Sequence, residues 1–88
     1  MTRVIVPPAV VELDGARVYI LEVTERTWIR GEKRFLVTCM IEYAGYCSPK
    51  FTLDVASNEE LKAKLQAEIA KMKLAILSGR GDAFFNKC

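Results

Sequence analysis

Eighty-eight residues hold one small domain, and the 51% that are hydrophobic are enough to give it a core. Thirteen basic residues against eleven acidic leave a net charge of +2, a weaker bias than dedicated nucleic-acid binders carry. No histidine is present, which removes Ser-His-Asp and Cys-His nucleophilic catalysis and any histidine-ligated zinc.

The chain opens on MTRVIVPP, an apolar run too short for a membrane span or a signal segment and followed at once by prolines. The expectation is a cytoplasmic protein with no membrane partner. Three cysteines, Cys39, Cys47 and Cys88, make an odd count without an export signal, which argues against a disulfide framework. They form no C-x-x-C pair, so neither a thiolate metal site nor a cofactor is expected.

Four extended stretches and one helix are predicted, over about 3–13, 16–29, 33–43, 50–55 and 58–78, with an ordered tail over 79–88. In the first stretch, Arg3–Val6 and Ala9–Leu13 flank Pro7 and Pro8, which cannot donate ladder hydrogen bonds and so mark a bend at a sheet edge. Asp14-Gly15 reads as a two-residue turn of the primed type, setting Leu13 opposite Ala16, Glu12 opposite Arg17, Val11 opposite Val18 and Val10 opposite Tyr19.

The segment ERTWIRGEKRF, Glu25 to Phe35, joins the two longest stretches. From Lys33 to Tyr43, Phe35, Val37, Cys39, Ile41 and Tyr43 alternate with Arg34, Leu36, Thr38, Met40 and Glu42, the period of a strand with two unlike faces. A three-residue loop at Arg30-Gly31-Glu32 opposes Thr27 with Phe35, Val23 with Cys39, Leu21 with Ile41 and Tyr19 with Tyr43, and sets Trp28 opposite Arg34. A two-residue turn with a bulge further down also restores the faces. On the three-residue register the outer sheet face carries Val11, Leu13, Val18, Ile20, Leu36, Met40 and Trp28, too apolar for a face in water.

Tyr43–Lys50 reads as a connection broken by Gly45 and Pro49, and Phe51–Val55 as the last strand. Ser57-Asn58-Glu59-Glu60 is a capping box, and Gly79 stands where a left-handed residue ends a helix. Along that helix Leu61, Leu65, Ile69, Met72 and Ile76 fall within an arc of roughly 80° and form the core stripe. Ala63, Ala67, Ala70, Leu74 and Leu77 form a second apolar line on the opposite side. One helix on one sheet needs one buried stripe. The second line is covered by another helix, or by Phe84 and Phe85 of the tail, or stands in water.

The fold class is therefore α+β: a twisted, mostly antiparallel sheet of about four strands packed by one long C-terminal helix. The expected function is a non-enzymatic interaction module, a homodimer or an accessory subunit of an intracellular assembly. Its partner surface is Ala63, Ala67, Ala70, Leu74 and Leu77 with Phe84 and Phe85. The alternative is a nucleic-acid-binding hairpin, in which Arg26, Arg30, Lys33 and Arg34 meet phosphates and Trp28 stacks on a base. Its bland counterpart is a solvated tip with Arg34 lying over Trp28. Lys62, Lys64, Lys71 and Lys73 either extend such a surface or simply solubilise the helix. Cys47 has only Lys50 nearby to activate a thiol, and Asp54, Glu59, Glu60 and Asp82 share no obvious surface. The GRGD tetrapeptide, Gly79 to Asp82, is a chance match to an adhesion motif.

Overall fold

A computed structural model describes residues 2–6, 9–27 and 30–88, with side-chain surroundings described from residue 9 on. The strands are β1 (Thr2–Val6), β2 (Ala9–Leu13), β3 (Ala16–Thr27), β4 (Lys33–Tyr43), β5 (Tyr46–Cys47), β6 (Phe51–Val55) and β7 (Asn86–Lys87). Helix α1 (Asn58–Leu77) follows β6, and a single-turn α2 (Gly81–Phe84) precedes β7. All pairings are antiparallel. The class is α+β, as expected, and the strand count is finer than four: β1 and β2 share one edge of β3, and β5 and β6 share one edge of β4.

The Asp14-Gly15 turn forms as predicted. Asp14 and Gly15 have φ of 51° and 79°, and all four cross-strand pairs from Leu13–Ala16 to Val10–Tyr19 are present. Both central residues of a type I′ turn need positive φ, which Gly adopts freely and Asp tolerates.

The β3–β4 register differs from the expected one. Thr27 faces Lys33 and Glu25 faces Phe35, whereas the expected partner of Thr27 is Phe35. A two-residue shift keeps the faces in step, and Val23 still shares a face with Val37. Lys33 reaches Glu25 across this ladder, and on the other edge of β4 Arg34 reaches Asp54 of β6.

Lower down, a bulge at Leu21 exchanges the faces: Glu22 pairs with Thr38, but Ile20 pairs with Cys39 and Val18 with Ile41. Val18 and Ile20 therefore turn towards α1 with Cys39 and Ile41, and Tyr19 turns away with Met40. This corrects the outer face. Val18 is fully buried, and Leu13 and Ile20 pack against the core. Leu36 and Met40 stay on the outer face as expected, among polar neighbours: Glu12 beside Arg17, Arg17 beside Glu42, and Thr38 bonded to Thr52.

The core is Ala16, Val18, Val37, Cys39, Ile41 and Val55 from the sheet, closed by Leu65, Ile69 and Met72 of α1. Leu61 and Ile76 extend the stripe at either end, as the periodicity predicts. At the start of α1 the Ser57 Oγ accepts from the Glu60 amide at 3.2 Å. The Glu60 carboxylate accepts from the Ala56 amide at 2.9 Å. At its end the Gly79 amide donates to the Ile76 carbonyl and the Arg80 amide to the Ala75 carbonyl, a Schellman closure with Gly79 at φ 82°.

Two features go beyond the expected plan. Ala44 and Gly45, at φ 52° and 83°, make a second primed turn, so Tyr43–Lys50 holds the short strand β5. Ser48 then bridges the gap before β6: its hydroxyl accepts from the Ile41 amide at 2.9 Å and its own amide donates to the Ile41 carbonyl at 2.8 Å. The helix is also not the end of the fold. The tail doubles back, β7 pairs with β5, and Cys88 forms a disulfide with Cys47. The expectation of no disulfide is overturned, because β5 and β7 lie side by side and bring two cysteines 41 positions apart in sequence to a Cα separation of 5.3 Å.

Candidate functional site

Burying Leu65, Ile69 and Met72 under α1 turns Ala63, Ala67 and Ala70 outward, and all three are exposed. Leu74 and Leu77 lie on the same line and leave 70% and 78% of their surface in solvent. The tail does not cover them. Phe85 turns inward and packs against the core, whereas Phe84, its ring centroid 6.4 Å away, stays 58% exposed. Of the seven predicted interface residues, six are therefore exposed on or beyond α1, and Phe85 serves the chain's own core.

The flanks of this line are charged and locally paired. Lys64 meets the Glu60 carboxylate at 3.1 Å and the Asp54 carbonyl at 2.7 Å, and Lys71 meets Glu68 at 3.1 Å. Lys73 donates to the Asp14 carbonyl and lies 5.2 Å from the centre of the Tyr43 ring, tying α1 to the β2–β3 turn. Lys62 is exposed.

The hairpin is less basic than its sequence suggests. Arg34 faces Arg26 across the ladder but donates to Asp54 at 2.7 Å and approaches Glu60 at 3.8 Å. The Asp54 carboxylate holds the Arg34 guanidinium above its ordinary pKa. Lys33 stands 3.8 Å from Glu25. Arg26, Arg30 and Lys33 are exposed. Trp28 lies outside the described residues, so its predicted position opposite Arg34 and its stacking role are not placed.

A cleft of about 410 Å³ opens beside the start of α1, lined by Ile20, Val23, Phe35, Val37, Val55 and Leu61, with Ser57 and Asn58 at its rim. Nothing in the sequence pattern marks it, because its walls come from β3, β4, β6 and α1. It lies in the size range of small-molecule sites. Those sites orient a ligand through several converging polar groups, and here the Ser57 hydroxyl already caps the helix.

The cysteines separate into two kinds. Cys39 is fully buried between β3 and β6, and burial pushes its thiol up to about 11, which makes it inert, as its place in the alternation implies. Cys47 and Cys88 join the tail to β5 through their disulfide. Glu42 lies directly opposite Cys47, and its carboxylate accepts from the Tyr19 hydroxyl at 2.5 Å. That acceptor raises the Tyr19 pKa and keeps the phenol a neutral donor. Tyr46 donates to Asp82 at 3.0 Å, fastening α2 to β5.

Among the described residues, no helix is long and apolar enough to cross a membrane. No protein family, curated protein or solved structure matches the chain.

Proposed function

We propose that this chain is a non-enzymatic interaction module that pairs through the outer face of α1, first of all with a second copy of itself, inside the cell. One observation carries the reading: Leu74 and Leu77, largely exposed, continue a line of exposed alanines at positions 63, 67 and 70. The spacing is 4-3-4-3, the seam of a two-helix coiled coil. Large exposed apolar groups in one contiguous line on a small domain are the signature of an interface.

The seam fits itself over Ala63–Leu74, while Leu77 lies beyond it, against Glu60 of the second copy. When a second helix runs antiparallel about a two-fold axis between Ala67 and Ala70, Ala63 meets Leu74 of the second copy and Ala67 meets its Ala70. Small then faces large, and the backbones approach closely at the centre. Glu59 comes opposite Arg80 of the second copy. Lys64 and Lys71 face each other across the pair, and each already holds an acid of its own helix, Glu60 and Glu68. A parallel pair would stack alanines on alanines at one end and leucines on leucines at the other, splaying the helices.

The test is light scattering on the purified chain. The expected result is a dimer that Leu74→Asp converts to a folded monomer. A monomeric wild-type chain would remove self-pairing and leave the accessory-subunit form, in which a foreign helix takes the same face.

A second reading, nucleic-acid binding by the hairpin tip, is favoured by the exposure of Arg26, Arg30 and Lys33. It requires affinity to fall steeply with salt and to vanish in Arg26→Glu/Arg30→Glu. A flat salt response removes it.

A further inference from the structure

Glu42, Cys47 and Cys88 come from β4, β5 and the end of the chain, and their carboxylate and sulfur atoms all lie within 4.8 Å of one another. We propose that, once the Cys47–Cys88 disulfide is reduced, these three side chains form a binding site for a thiophilic divalent cation of the zinc type. The same two sulfurs then hold the tail in two ways: through a covalent bond when oxidised and through a metal when reduced.

The donor set selects the ion. Two thiolates and one carboxylate suit zinc or cadmium, which take four ligands at tetrahedral angles from sulfur and oxygen. Calcium and magnesium need six or more oxygens and find one carboxylate here. Three protein ligands leave the fourth place to water.

The fold fixes each ligand independently. Glu42 and Cys47 are held opposite one another by the Ala44-Gly45 turn. Cys88 is held by β7 on β5 and by its own amide, which donates to the Gly45 carbonyl at 2.9 Å. The Tyr19 hydroxyl occupies one oxygen of Glu42, and the carboxylate has a second oxygen for the metal. This is the supporting contact that metal-bound carboxylates use to fix their orientation. Cys88 is exposed and Glu42 and Cys47 are half-buried, so the ion has a way in.

The step balances as follows. A dithiol reductant gives two electrons to the S–S bond and becomes a disulfide itself. Each protein sulfur takes up a proton, and the cation then displaces both protons as it binds. In a compartment that keeps thiols reduced, the metal thus replaces the disulfide as the link between the tail and the sheet.

The test titrates Cd²⁺, then Zn²⁺, into the full chain reduced with a phosphine, reading the thiolate-to-metal charge-transfer band. The expected result is one equivalent bound by the reduced protein and none by the oxidised protein, with renewed hydrogen-exchange protection of the Cys88 amide, which bonds to the Gly45 carbonyl, on loading. Cys88→Ser should abolish the band. Tyr19→Phe, which leaves all three ligands in place, should weaken binding by about 10–100-fold, the usual cost of removing a supporting contact. Glu42→Gln should weaken it at least as much while still forming the disulfide under oxidising conditions. A reduced wild-type chain that takes up no stoichiometric Cd²⁺ overturns the proposal. So does uptake that survives Cys88→Ser, or that Glu42→Gln and Tyr19→Phe both leave unchanged.

Discussion

Val18 and Ile41 lie directly opposite each other across β3 and β4, and neither leaves more than 1% of its surface exposed. They are the centre of the layer that α1 closes with Ile69 and Met72. Ile41→Ala is expected to cost about 2–5 kcal/mol and Ile41→Val about 0.5–1.5. Val10→Ala, on a side chain 58% exposed at the sheet edge, should stay within about 0.5 kcal/mol. Urea unfolding of the three variants checks the order. If the bulge at Leu21 were absent, Val18 would face water and Val18→Ala would be as mild as Val10→Ala.

Much of this fold was legible in the sequence, and the exceptions have a common cause. The Asp14-Gly15 hairpin, the Ser57 cap, the Gly79 stop and the core stripe of α1 were all readable, because each depends on residues within one or two turns of one another. The burial of Val18 was not, since a single bulged residue reverses every face beyond it and leaves no mark on the alternation. The β5–β7 contact was hidden for a different reason. Ala44 is an unusual residue at positive φ, and the pairing partner of Cys47 lies 41 residues away. Of the candidate surfaces, the outer line of α1 was readable in full from helical spacing. The placement of Arg34 against Asp54 required the pairing of β4 with β6, which sets Leu36 opposite Asp54.

The Ser57–Glu60 cap carries both a stability and a pH prediction. Ser57→Ala should cost about 1 kcal/mol, since the Glu60 amide loses its acceptor. The Ala56 amide, first, and the Lys64 ammonium next hold the Glu60 carboxyl below its ordinary value. A carboxyl whose pKa is depressed by folding stabilises the fold above its unfolded value, and that contribution is lost as pH falls through the folded one. Urea midpoints should therefore fall between neutral pH and about pH 3, and Glu60→Gln should lessen the fall. An unchanged pH profile in Glu60→Gln would place the acid sensitivity elsewhere.

Removing the disulfide tests how far the tail supports the domain. The closed loop spans 41 positions, which corresponds to about 3–4 kcal/mol of denatured-state entropy. Cys88→Ser, measured in chelator so that no metal substitutes, should lower stability by about that amount. It should also expose the amide of residue 88, which bonds to the Gly45 carbonyl, to rapid hydrogen exchange, while the β3–β4 ladder stays protected. Loss of protection throughout would mean instead that the tail is part of the cooperative unit.

The orientation of the proposed helix pair can be read by cross-linking, because the two arrangements bring different positions together. In the antiparallel pair Ala63 lies against Leu74 of the second copy, so a mixture of Ala63→Cys and Leu74→Cys chains should oxidise to a mixed dimer. Each variant alone should remain uncross-linked, since its two cysteines lie at opposite ends of the seam. A parallel pair predicts the reverse, with Ala63→Cys joining to itself. The native cysteines do not interfere: Cys39 is buried and Cys47 and Cys88 are bonded to each other. Position 63 tolerates the change because it is exposed and lies off the core stripe. Leu74 is 70% exposed, so its loss should weaken the pair without disturbing the fold. Self-linking by Ala63→Cys would leave a dimer but exclude the antiparallel fit of Ala63 against Leu74.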